Sequence, residues 1–256
     1  MTNQINSVFI IGAGNIAHHL VGVLKKTVQV VGIHSKGIVN AKELSTLYNI
    51  KLYKDLSTIP NCDLVLICTN DNSILSIIDQ IPKNFNIAYT SGSIELPLNY
   101  KNVGVFYPLQ TFSKNKVLDL SNVPFLIESN DQLLTNKLIK LGEGISTKVL
   151  EANSSERKKI HLAAVFMNNF TNHMTYISSE LMKKDNLDWE LLLPLLRETI
   201  SKIETSSPYD AQTGPARRLD TMVIQDHLNM LEANEKEIYQ SISQNIIKTY
   251  SKNDEL

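Results

Sequence analysis

A chain of 256 residues exceeds the usual size of one domain, so two domains are expected. Its 43% hydrophobic and 20% charged residues allow a sizeable core, and a net charge of -1 lacks the excess of Lys and Arg that nucleic-acid binding needs. No apolar run approaches the ~18 residues of a membrane-spanning helix, and Met1–Gln4 carry neither a basic nor an apolar leader, so the sequence predicts a cytoplasmic protein with no membrane partner.

Up to about Val149, short β-branched runs alternate with helical stretches, as in a parallel α/β sheet. Strands are predicted over Ser7–Ile11, Val28–Ile33, Asp63–Cys68, Asn86–Thr90, Val103–Tyr107, Pro124–Ile127 and Thr147–Leu150. The first four are near-continuous apolar runs, the pattern of strands covered on both faces. Helical spacing marks Ile16–Lys25, Ala41–Tyr48, Ser73–Ile81 and Gln132–Leu141. The two cysteines, Cys62 and Cys68, fall in one strand region and are too few for a disulfide framework, so they read as buried thiols.

From about Asn153 the pattern turns helical, and only Gly214 of the ten glycines lies beyond Gly144. Asn153, Ser154 and Ser155 offer N-cap oxygens for a long helix running to about Met182. A second helix starts near Asp188, with Pro194 predicted to kink or split it. Ser206–Asp210 breaks the chain, and one or two helices fill Asp220–Tyr250. The predicted architecture is therefore a Rossmann-type, doubly wound parallel α/β sheet over residues 1–152. An all-α domain over residues 153–256 follows it.

The most informative stretch is Val8–Ala17, which reads strand, G-x-G-x-x-A, helix. Gly12 allows the tight turn, Gly14 lets the backbone approach a pyrophosphate, and Ala17 is small enough for the helix to pack on the strand. With Ala13 in the turn, the N–H groups of Asn15 and Ile16 open the helix at the positive end of its dipole, which suits a diphosphate. A dinucleotide cofactor is predicted here. About 20 residues further on, NAD-binding proteins place an acid on the ribose diol, whereas this strand ends Gly32-Ile33-His34-Ser35-Lys36. Ser35 can donate a hydrogen bond, and Lys36 with His34 supplies positive charge, so NADP(H) is predicted over NAD(H). Lys36 as a plain solvated loop residue is the alternative. Two other strand ends, carrying Thr69 and Asn70 and then Ser91 and Gly92, should face the cofactor, although ordinary turn chemistry explains either equally well.

The remaining candidates concern a small-molecule substrate. Gln110 and Thr111 follow a strand among aromatics and could line a pocket. In the long helix, His161, Asn168 and Asn172 share a face at 100° per residue, with Asn169 and His173 to one side. His161 is the candidate general acid or base, with Asn168 or Asn169 orienting the substrate; hydrogen bonds within a helical bundle are the alternative. In Gln212–Asp220 a Gly-Pro turn is predicted to open a helix and bring Arg217 or Arg218 to its first turn. There either could clamp an anion or pair structurally with Asp220 or Glu204. No metal site is predicted.

Taken together, Gly12–Ala17, Thr90–Ser93, Phe106–Phe112, His161–Phe166 with Asn169-Phe170, and Gln212–Arg218 resemble a bacterial family of Rossmann-like oxidoreductases whose helical C-terminal part is a domain of unknown function. More distantly, the chain is similar to pyrroline-5-carboxylate reductase, deazaflavin-dependent NADP reductases and the 6-phosphogluconate dehydrogenase superfamily. The resemblance implies a homodimer formed through the helical domain and a substrate cleft between domains. Hydroxyacid dehydrogenases of that superfamily carry a catalytic Lys with an Asn one helical turn later, but Lys158 and Lys159 are followed by no such Asn. The function expected is hydride transfer to or from a C=O or C=N bond; a non-catalytic NADP(H) sensor or partner-binding protein is the rival.

Overall fold

The computed structural model describes residues 4–114, 116 and 118–251; Met1–Asn3, part of the stretch inspected for a leader, lie outside it. Eight strands form one sheet: β1 (Ser7–Ile11), β2 (Gln29–His34), β3 (Leu52–Tyr53), β4 (Leu64–Ile67), β5 (Ile87–Tyr89), β6 (Val103–Pro108), β7 (Phe125–Ser129) and β8 (Val149–Glu151). Their order is β3-β2-β1-β4-β5-β6-β7-β8. All neighbours are parallel except β6 and β7, which run antiparallel. Successive side chains point to opposite faces. Val8 and Ile10 accordingly join one core cluster, and Phe9 and Ile11 join the other. That two-sided burial is why the strands read as unbroken apolar runs.

Helices α1 (Asn15–Leu24), α2 (Ile38–Tyr48), α3 (Ile74–Ile78) and α4 (Gln132–Glu143) connect the strands. Because β1 pairs with both β2 and β4, the chain winds outward from it in two directions. This leaves the crevice beyond the C-terminal ends of β1 and β4 where open α/β sheets bind ligands. The sequence did not show β3, whose two residues are too few for any periodicity. The predicted helix over 73–81 is reduced to a 3-10 turn, Asp71–Ser73, followed by the single-turn α3.

Contacts divide the chain into two compact units, residues 1–169 and 170–256. The division falls later than the change in composition at residue 153 because helix α5 (Ser154–Ala164) is bolted to the sheet. Asn153 caps α5, its side chain accepting from Glu156 N while Glu156 reaches back to the Asn153 amide. One turn on, Arg157 is fully buried and pairs with Glu128 of β7. The Glu128 carboxylate also accepts from the Ser154 backbone N–H at 2.9 Å, a negative group at the positive end of the helix.

The second unit consists of α6 (Thr171–Lys184), α7 (Leu193–Thr205), α8 (Thr221–Met230) and α9 (Ala233–Ser251). Pro194 does not kink a helix; it sits in the first turn of α7, where its missing N–H costs nothing. The Gly214-Pro215 step opens a run of turns rather than a helix, with Leu219 in left-handed backbone at φ 58°. Helix α8 starts only at Thr221, with Asp220 as its cap. Among the described residues no helix is long and apolar enough to cross a membrane.

Candidate functional site

Gly12 leaves β1 at φ +112°, and a Cβ there would lie 2.4 Å from the Cys68 carbonyl oxygen. Only glycine fits between β1 and the end of β4, and its N–H donates to His34 O at 2.8 Å, tying in β2 as well. Gly14 is different. Its backbone is extended, and a Cβ on it would meet nothing within 4 Å. Open space therefore lies directly over the start of α1, where no side chain caps the helix. The amides of Asn15 and Ile16 remain free to receive an anion. The Asn15 side chain is occupied elsewhere, donating to Phe112 O at 2.9 Å, and His19 Nε2 lies 2.9 Å from Ser113 O. These residues fit a dinucleotide diphosphate.

Beside this turn is a cleft of about 530 Å³, lined by Gly12, Ser35, Lys36, Lys54, Thr69 and Asn70 among others. His34 also faces it, held by a 3.1 Å contact from Nδ1 to Tyr53 O. Among the described residues neither Lys36 nor Lys54 is paired with a carboxylate. Asp55 is on the same rim; its carboxylate accepts from Ser57 N at 2.8 Å, and this bond holds its pKa below the usual value.

The other half of the crevice is built by β5, β6 and α5. Ser91 Oγ accepts from the N–H groups of Ser93 and Ile94, closing a tight turn after β5. Ser93 Oγ in turn donates to the Asp71 carboxylate. At the end of β6, the Tyr107 hydroxyl lies 3.0 Å from Nδ1 of His161 on α5. Gly92 makes that approach possible, since a Cβ there would lie 2.7 Å from both His161 Nδ1 and Tyr107 Cζ. Burial first, and then the charge of Asp71, pushes the Tyr107 phenol above its ordinary pKa, so it stays protonated at neutral pH. The turn itself is pinned. Arg157 donates to Ile94 O, Lys158 pairs with Glu95 at 2.5 Å, and Leu96 N donates to Ser154 Oγ at 2.9 Å.

Of the residues expected to hold a cofactor, Gly12, Ala13, Gly14, Asn15, Ile16, His34, Ser35, Lys36, Thr69 and Asn70 surround the β1 and β4 ends. Ser91 and Gly92 instead shape the turn against which Tyr107 and His161 pack. Gln110 and Thr111 are exposed, close in sequence to the Phe112–Ser113 strap over the start of α1. Asn168 and Asn169 are exposed and belong to a π-helical segment, Val165–Phe170. The wider turn of that segment breaks the 100° spacing that aligned Asn168 with His161. Arg217 and Arg218 belong to the second unit, where the Arg217 guanidinium stacks 4.4 Å over the Tyr250 ring and Arg218 is exposed. Lys158 is committed to its surface pair with Glu95. Sequence reasoning missed Tyr107, Asp71 and Lys54. Tyr107 carried a signal, as the last aromatic of a parallel strand ending on the ligand-binding edge.

Two family models match the chain. "Oxidoreductase family, NAD-binding Rossmann fold" covers residues 6–87, and "Domain of unknown function (DUF2520)" covers residues 123–246. Among solved structures, a "putative NADP oxidoreductase" from Bacteroides fragilis is 33% identical, with a TM-score of 0.88 over 96% of this chain and 100% of that one. A 1-pyrroline-5-carboxylate reductase from Streptococcus pyogenes superposes with a TM-score of 0.64 at 14% identity, over 97% of this chain and 99% of that one. A reductive aminase from Aspergillus terreus, in complex with NADPH and ethyl-5-oxohexanoate, gives 0.72 at 10% identity, over 96% and 95%. The latter two likenesses establish the fold alone. No curated protein compared with the chain matches it.

Proposed function

We propose that this chain, which belongs to the family of Rossmann-type NAD(P)-binding oxidoreductases with a C-terminal DUF2520 domain, is an NADP(H)-dependent enzyme acting on a C=O or C=N bond of a small polar substrate. The observation that carries the proposal is the pairing of Tyr107 with His161 on the strand edge that also presents the open approach over Gly14. A bound nicotinamide supplies or accepts the hydride. The amides of Asn15 and Ile16 hold the diphosphate, and Ser35 and Lys36 favour a 2′-phosphate over a bare ribose diol.

His161 handles the proton. The Tyr107 hydroxyl, kept protonated by its burial, accepts from Nδ1–H of His161, which leaves Nε2 to exchange a proton with the substrate. As the imidazolium, His161 gives its Nε2 proton to the substrate oxygen or nitrogen during reduction, and the neutral ring takes it back at Nε2 during oxidation. The Asp71–Ser93 hydrogen bond and the Arg157 anchor hold the neighbouring turn, so the imidazole keeps its position. The fold likeness to a pyrroline-5-carboxylate reductase and a reductive aminase supports a C=N or C=O substrate. The proposal is tested by titrating the protein with NADPH and NADH and then following NADPH oxidation over a panel of imines, keto acids and aldehydes.

The partner in this proposal is a second copy of the chain. Helices α6, α7 and α8 bury no residue, and between 170 and 251 only Ala216, Ser243 and Tyr250 are buried. Leu191, Leu195, Met222 and Met230 are each 66% exposed or more. A unit with so small a core needs further burial to be stable. A twofold contact of ~1,200–2,000 Å² over these helices supplies it.

A further inference from the structure

We infer that Lys54, one residue beyond β3, is a second cation for the adenosine 2′-phosphate and so a determinant of cofactor choice; this rests on the NADP(H) proposal above. Its position follows from strand register. β3 runs parallel to β2 with Leu52 opposite Ile33 and Tyr53 opposite His34. The next residues, Ser35 and Lys54, therefore leave the sheet side by side at the C-terminal edge, at about the 4.8 Å spacing of paired strands. Both line the cleft of about 530 Å³ that also takes in Lys36 and opens at Gly12. Two loops thus bring one lysine each to the same rim, and among the described residues neither ammonium is neutralised by an ion pair. Lysine binds phosphate as a point charge, so two of them flanking one dianion act together without a shared geometry.

One neighbour opposes them. Asp55 stands on the same rim, and its carboxylate is turned toward Ser57 N as the cap of the 3-10 turn Leu56–Thr58. Engaged there, it is a poor ligand for a ribose diol, and its single charge is outweighed by those of Lys36 and Lys54.

The experiment measures dissociation constants of NADPH and NADH by nucleotide fluorescence, with no substrate present, for the parent, Lys54→Gln, Lys36→Gln and Asp55→Asn. All three positions are exposed, and unchanged thermal melting of each variant confirms folding. Losing a charge-assisted contact, Lys54→Gln should weaken NADPH about tenfold or more while NADH stays within about twofold. Asp55→Asn should tighten NADPH. If Lys54→Gln weakens both nucleotides equally, or neither, while the parent still prefers NADPH and Lys36→Gln removes that preference, Lys54 has no such role and the NADP(H) proposal stands. If the parent prefers NADH and Asp55→Asn abolishes the preference, the inference and the NADP(H) proposal are both overturned.

Discussion

The Tyr107 hydroxyl lies 3.0 Å from Nδ1 of His161, across a gap that only a glycine at position 92 leaves open. A strand and a helix 54 positions apart in the chain thereby share one proton-bearing pair. Replacing His161 by Ala should lower turnover by about 100-fold or more while NADPH affinity is kept. Tyr107→Phe should give a smaller loss in turnover, again with affinity kept, because the imidazole remains but is no longer oriented. Gly92→Ala should mimic the loss through crowding, at a stability cost of ~1–3 kcal/mol. Steady-state kinetics beside nucleotide titration separates these outcomes.

The two motif glycines should respond differently to the same change. Gly14→Ala meets no neighbour and should leave stability within about 0.5 kcal/mol. It should nonetheless sharply weaken nucleotide binding, because the methyl group occupies the approach of the diphosphate. Gly12→Ala meets the Cys68 carbonyl at a positive φ and should destabilise the fold by more than ~1 kcal/mol. Urea unfolding of both variants, with NADPH titration of Gly14→Ala, decides the matter.

Arg157 and Glu128 should behave as a buried ion pair. Arg157→Met leaves the Glu128 charge without its partner and should cost ~3–5 kcal/mol. Adding Glu128→Gln removes the orphaned charge and should recover part of that loss. Equal stability of the single and double variants in urea would show that charge is not what holds α5 to the sheet.

Alkaline pH should loosen the first unit. Burial pushes the Cys62 thiol up to about 11 and the Cys68 thiol up to about 12, both from 9.0. The folded state therefore keeps protons that the unfolded chain has already released. The stabilisation is complete below pH 9 and is lost as pH rises through 9 toward 12. Melting temperature should fall steadily above pH 9, and a flat profile would contradict the burial of these thiols.

Charges placed on the apolar faces of the second unit should break the assembly. Leu195→Glu and Met222→Glu should shift the sedimenting species from twice the chain mass to a single copy, with loss of helical signal as the uncovered helices unfold. A parent protein that sediments as one copy would remove the second copy from the account.

Much of this was legible in the residues. Val8–Ala17 declared strand, turn and helix because each step has a local cause: an apolar run, two glycines with distinct duties, and a small residue at the packing point. Ser35 and Lys36 could be placed because their strand is long enough to show its end. Tyr53 and Lys54 could not, since a two-residue strand has no period and exists only through its pairing with β2. Asn168 aligns with His161 on an ideal wheel, with Asn169 to one side, and nothing in the local composition announces the π-helical segment. Tyr107 escaped because its partner is set by tertiary contact. The seam was read from composition, while Arg157, a charged residue whose burial no sequence pattern advertises, carries α5 into the first unit.

The open approach over Gly14 is tested most directly by calorimetric titration of the purified chain with NADPH and, separately, with NADH. One site per chain, with NADPH bound more tightly than NADH, is the predicted result. Absence of heat with both nucleotides would contradict it and leave the sheet and helices without the chemistry proposed for them.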